Sequence, residues 1–137
     1  MSETKLRWFF YTFVIAIVPF MVRFLLGFTT NISPHILTIS DLVAFSLVMQ
    51  VSTVGAAEIL NDEHKKFKTV CFSITTVLIL FSGLYYALSI ISEENPEIMN
   101  LNSSILVLFI ICLSSTLLSF TAHHKLQSNE QLSMEEM

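Results

Sequence analysis

A chain of 137 residues that is 53% hydrophobic and only 13% charged lacks the polar surface that a water-soluble domain of its size needs, so its composition excludes the soluble globular class. Mean hydropathy of +0.70 points the same way, to lipid as the solvent. A net charge of −4 without a concentrated basic face excludes nucleic acid as a direct ligand, because neutralising phosphates takes clustered Lys and Arg.

The first apolar run extends from about Trp8 to Phe28 and is preceded by Lys5 and Arg7. A secretory signal peptide would begin in the same way. Here Pro19, Phe20 and Met21 stand where a small-x-small cleavage pattern would be, so a retained helix is expected. Trp8 and Tyr11 suit an interfacial anchor at its start. Arg23 lies ~21 Å along that helix at ~1.5 Å per residue, a depth at which an ionised side chain must snorkel or find a partner. The connection Thr29 to Thr38 holds Asn31, Ser33 and Pro34, which favour turns, together with His35.

The second run, from about Ile39 to Leu60, opens with Thr38-Ile-Ser-Asp41, which has capping-box spacing with Asp in place of the usual Glu. Asp41 is the natural partner for Arg23. Arg23 snorkelling to phosphates, a structural Arg23–Asp41 pair and an ion or substrate role remain open alternatives. This span is the least lipid-like, with Asp41, Gln50 and Glu58 among Ser46, Ser52, Thr53, Gly55, Ala56 and Ala57. Gln50 at mid-bilayer needs a hydrogen-bond partner, and Ser52-x-x-x-Ala56 permits close helix approach, so the span belongs inside a bundle or at a subunit interface. Asp41 and Gln50 are nine positions apart, half a turn out of phase, and do not share a stripe. Glu58 reads as a boundary carboxylate paired with Lys65, Lys66 and Lys68, with proton coupling as the sharper alternative.

The short inner connection, Asn61-Asp-Glu-His-Lys-Lys66, makes spans two and three antiparallel neighbours. Span three runs from about Phe67 to Ile91 and span four from about Ile98 to Thr121, separated by Ser92 to Glu97 with its helix-breaking Pro96. Neither span has a charged residue in its core. Their polar content is Ser73, Thr75, Thr76 and Ser82 in one, and Ser114, Ser115, Thr116 and Ser119 in the other. Gly83-x-x-x-Ala87 and Ser115-x-x-x-Ser119 suit helix packing, and Tyr85 and Tyr86 suit an outer interface. Cys71 and Cys112 fall in apolar runs and read as small buried hydrophobes.

These runs are continuous and close to the ~20 residues that cross a ~30 Å hydrocarbon core, which favours helices over a barrel. The expected fold is an all-α membrane protein: a four-helix transmembrane domain over 1–122, with spans at about 8–28, 39–60, 67–91 and 98–121, and an acidic tail over 123–137, mobile when alone. Six of the seven Lys and Arg fall at Lys5 and Arg7, at Lys65, Lys66 and Lys68, and at Lys125, and the connections around Ser33 and Pro96 have none. The positive-inside bias then places both termini and the middle loop in the cytoplasm.

Little in the chain carries reaction chemistry. There is no Ser-His-Asp or Cys-His set and no phosphate-cradling glycine loop, so no enzyme and no cofactor are expected. The histidines His35, His64, His123 and His124 have no Cys or carboxylate at ligand spacing, and no metal site is expected. Asn31-Ile-Ser33 and Asn102-Ser-Ser104 match the glycosylation acceptor pattern.

The charged soluble material is the inner loop with His64, Lys65, Lys66 and Lys68, and the tail from Lys125 onward. In the tail, Glu130, Glu135 and Glu136 stand beside Leu126, Leu132 and Met134. Such a tail can order against a basic, partly apolar surface. The favoured reading is a non-enzymatic sensor or scaffold subunit, embedded in membrane lipid, that docks a cytoplasmic protein partner. The alternatives are a small four-span transporter or channel, and a structural partner of a larger membrane complex. Four-span drug exporters place a glutamate in the middle of the first span, whereas Phe9 to Val22 holds no acid.

In the hydropathy layout of its whole length, the chain resembles the KwaA family, the membrane subunit of the Kiwa anti-phage system. The likeness rests on no specific motif and carries no functional residue across. It implies a homo-oligomer, with a tetramer as the expected state, that senses phage infection at the bacterial inner membrane. It also implies work alongside a cytoplasmic, DNA-binding subunit, KwaB.

Overall fold

The computed structural model describes residues 3–30, 38–60 and 62–136, without side-chain placement at 3–6, 8, 9, 129 and 133. Among these residues the chain is all-α, with helices α1 (Glu3–Thr29), α2 (Ile39–Ile59), α3 (Lys65–Glu94) and α4 (Leu101–Glu135). Single 3-10 turns occupy Asp62–His64 and Pro96–Ile98. All four helices are long and apolar enough to cross a membrane, the mark of a multi-pass membrane protein. The turn residues Asn31, Ser33, Pro34 and His35, and Asn61 of the inner loop, lie outside the described residues, as do the side chains of Lys5 and Trp8.

Helix ends follow local chemistry. At the start of α2, Asp41 N–H donates to Thr38 Oγ1 at 3.4 Å, while the Thr38 hydroxyl donates to Asp41 Oδ2 at 2.7 Å. Asp is one methylene short of Glu, and its carboxylate meets the cap hydroxyl. The α3 helix stops at Glu94 because Pro96 forces Asn95 out of the α region, where its φ of −135° and ψ of 84° are found. Asn100 caps α4 by accepting from Ser103 N–H at 3.3 Å, so Ile98, expected inside span four, sits in the preceding 3-10 turn. Asn102 and Ser104 of the second acceptor pattern lie in the first turn of α4 with Ser104 buried, not on an exposed loop.

The largest departure from the sequence reading is at the end of α4. Residues 123–135, read as an acidic tail mobile when alone, continue the helix to Glu135. No Gly or Pro occurs from Leu101 onward, and extending an existing helix avoids the nucleation cost that a separate segment would bear. With 35 residues, α4 is ~52 Å long, against ~31 Å for the 21-residue α2.

Packing is organised around α2, against which each of the other three helices lies. Phe13 and Phe20 of α1 meet Phe45 of α2 edge-on, with ring centroids 6.1 and 6.2 Å apart. Buried Ile39, Leu42 and Val43 of α2 form one apolar cluster with Leu108, Ile111 and Cys112 of α4. The outward faces of α1 and α3 are largely apolar, from Val14 and Phe24 to Leu80 and Leu84, and the exposed hydroxyls of Thr69, Ser73 and Thr76 on α3 each bond a carbonyl of their own helix. Successive helices run antiparallel, so the start of α1 and the end of α4 share one end of the bundle. That is the near end. The far end carries Arg23 and Asp41.

Candidate functional site

The polar residues singled out in span two go to different neighbours. At the far end Arg23 Nε forms an ion pair with Asp41 Oδ2, the oxygen that also accepts from Thr38. The Arg23 side chain is 32% exposed and that of Asp41 only 11%. The pair is therefore lopsided: the cation is partly open to its surroundings and the carboxylate is nearly enclosed.

Gln50 is the centre of a second, neutral cluster. Its Nε2 donates to Ser115 Oγ of α4 at 3.1 Å and to Ser82 Oγ of α3 at 3.5 Å. Ser46, one turn earlier on α2, lies 3.1 Å from Ser82 Oγ. Each hydroxyl has a single proton, and both serines also approach a carbonyl of their own helix, Val43 O and Leu78 O. Either serine can thus donate across the helices only by releasing its own carbonyl. All four residues are essentially fully buried. Spacing explains the arrangement: positions 46, 50 and 53 are three to four apart and share a helix face, with Thr53 bonded to Met49 O. In lipid such a face must meet other polar groups, and Ser82 and Ser115 supply them.

Nearer the termini, Ser52 Oγ lies 3.4 Å from His123 Nε2, the donor depending on the imidazole tautomer. Ala57 and Ala122 are wholly buried and Ala56 nearly so, letting the helix backbones approach closely. Of the small-residue pairs, Ser115 and Ser119 are both buried in the bundle. Gly83 and Ala87 face outward, and a Cβ at Gly83 would meet nothing within 4 Å.

The inner-loop cations are not gathered on the Glu58 carboxylate. Lys68 Nζ donates instead to the backbone carbonyl of Glu58 at 2.9 Å. Glu58 is exposed and makes no ion pair within 4.0 Å among the described residues. Glu58 belongs to the final turn of α2, whose carbonyls lack intrahelical partners and can accept from a lysine. His64 is half-buried, and Lys65 and Lys66 are exposed.

Lys125 Nζ lies 4.4 Å from the centroid of the Phe67 ring, which ties α4 to the start of α3. Glu130 and Glu135 are exposed along the continuing helix, and Glu136 is exposed at its C-cap. The expected docking residues thus divide in two: His64, Lys65, Lys66, Lys68 and Lys125 at the near end of the bundle, and the glutamates beyond it.

Sequence reading missed Ser82 and Ser115 as the partners of Gln50, and Ser46 as the neighbour of Ser82. The available signal was their position, since each lies near the middle of its own span. Cys112 Sγ donates to Leu42 O at 3.2 Å, and both cysteines are free and buried. Among the described residues no group of His, Cys, Asp and Glu is placed to hold a metal ion. No family model, curated protein or solved structure matches the chain.

Proposed function

We infer that the chain is a non-enzymatic subunit of the bacterial inner membrane that forms a homo-oligomer and docks a cytoplasmic effector. The observation that carries this reading is the end of α4. Past Gln127, the last buried residue among the described side chains, the helix continues through Glu135, with exposed Leu132 and Met134 beside exposed Glu130 and Glu135. Eight residues of helix extend ~12 Å, and a piece this short has little stability of its own. An acidic helical end with apolar side chains suits a partner surface that is basic and partly apolar. The positive-inside bias supports placing this end in the cytoplasm.

The likeness to the Kiwa membrane subunit supports a role in anti-phage sensing, a tetrameric state, and a DNA-binding partner of the KwaB kind. Deleting 128–137 tests the docking and spares buried Gln127. The truncated chain should remain folded and lose co-purification of the cytoplasmic partner encoded beside it. Unchanged co-purification removes the tail from the proposal. Proteoliposome flux that vanishes in Asp41→Asn or Glu58→Gln would overturn the sensor reading in favour of transport.

A further inference from the structure

Three buried side-chain oxygens have no hydrogen-bond partner among the described residues: Gln50 Oε1, Thr75 Oγ1 and Gln127 Oε1. Gln50 and Thr75 are each 1% exposed and Gln127 is 9% exposed. Their placement is ordered. Thr75 and Ser82 are seven residues apart on α3, two turns along one face, and Ser82 is the serine that Gln50 reaches. Thr75 therefore lies ~10 Å from the level of Gln50 toward the near end. Gln127, twelve residues past Ser115 on α4, lies ~18 Å in the same direction. Toward the far end the interior is the apolar cluster of Leu42, Val43, Leu108 and Ile111.

An oxygen stripped of water and given no donor is costly, most of all at the depth of Gln50 and Thr75, where the bundle is bounded by hydrocarbon. A cation or a water molecule could supply what is missing, and the surroundings distinguish them. Ser46, Thr53, Ser82 and Ser115 are all neutral, and both Gln50 N–H groups already point at serine oxygens that a cation would need. The α2 carboxylates lie at Asp41, which is paired with Arg23, and at Glu58, which is exposed. A cation would enter a low-dielectric site with no counter-charge, where its desolvation is not repaid. Water needs no counter-charge, donates to an amide oxygen and accepts from a hydroxyl.

We propose that the near half of the bundle interior binds water at Gln50, Thr75 and Gln127, and that the apolar cluster seals this hydrated half from the far end. The proposal is independent of the sensor reading.

The chain contains two reporters of its own. Cys71 lies one turn before Thr75 on the same face, and Cys112 belongs to the apolar cluster; both are buried. X-ray radiolysis of the full chain in lipid nanodiscs generates hydroxyl radicals from bound water in place and labels adjacent sulfur. Cys71 should be labelled several-fold faster than Cys112. Thr75→Val, which keeps the shape and removes the oxygen, should bring Cys71 down to the Cys112 rate.

Equal rates in the unaltered chain overturn the proposal, as does a Cys71 rate unchanged by Thr75→Val. If Thr75→Val does not fold, the comparison within the unaltered chain still decides. A melting temperature raised by sodium or potassium chloride but not by choline chloride, and insensitive to salt in Gln50→Leu, would assign the site to a cation and overturn the proposal as well.

Discussion

Gln50 of α2 donates to Ser115 Oγ of α4 at 3.1 Å across 65 positions of sequence, and its second N–H reaches Ser82 of α3 at 3.5 Å. One side-chain amide thereby fixes the relative depth of three helices. Apolar contacts alone are tolerant of sliding, because lipid tails compete with them on nearly equal terms.

A double-mutant cycle on Gln50→Leu and Ser115→Ala should give a coupling of ~0.6–1.7 kcal/mol, between the mean and the maximum for interhelical hydrogen bonds in membranes. Reversible unfolding in mixed micelles would measure it. Additive single effects would show that the contact contributes nothing beyond packing.

The lopsided burial of the ion pair predicts an inequality. Arg23→Ala leaves the nearly buried Asp41 carboxylate with only the Thr38 hydroxyl and its own backbone. Asp41→Ala leaves an arginine that can snorkel outward. Arg23→Ala should therefore be the more destabilising, with both costs between the ~1 kcal/mol of an exposed pair and the ~3–5 kcal/mol of a broken buried one. Chemical denaturation of the two variants in one detergent checks the order, and the reverse order would refute it.

Lys68 and Glu58 separate in the opposite sense from their charges. Lys68→Met removes the cation from the last turn of α2 and should cost ~0.3–1 kcal/mol. Glu58→Gln changes an exposed carboxylate and should stay within ~0.5 kcal/mol. Melting temperatures at low and high salt would show whether the Lys68 effect is screened as expected.

Small residues make a third contrast. Gly83→Ala places a methyl group in open space within a helix and should stabilise the fold by ~0.5–1 kcal/mol. Ala57→Leu must force a large side chain into a fully buried position and should cost ~1–3 kcal/mol or more. If α3 also forms the contact between copies, Gly83→Leu will lower the oligomeric mass by light scattering while leaving the helical signal unchanged.

The four helices were legible because continuous apolar runs of membrane length have few other outcomes, and short polar connections fixed their order. Arg23 and Asp41 could be matched across one loop because two opposite charges in hydrocarbon have few other partners. Ser82 and Ser115 were harder. A serine costs little in a lipid-facing helix since it can bond its own carbonyl, as Ser73 does with Thr69 O, so residue type does not distinguish it from Ser82 and only depth along the span does. The extension of α4 escaped for another reason. Hydropathy marks where lipid ends, whereas helix ends are set by glycine, proline and caps, and residues 123–135 contain no helix breaker.

That α2 touches every other helix has a consequence for how the protein is made. Its amide waits for serines that leave the ribosome some thirty and sixty residues later. Until the last hairpin arrives, a nascent chain shows a bare glutamine to acyl chains and is open to membrane proteases. Burial of that group follows the emergence of Ser115, so a chain truncated before Ser115 should be cleared where one that includes it accumulates.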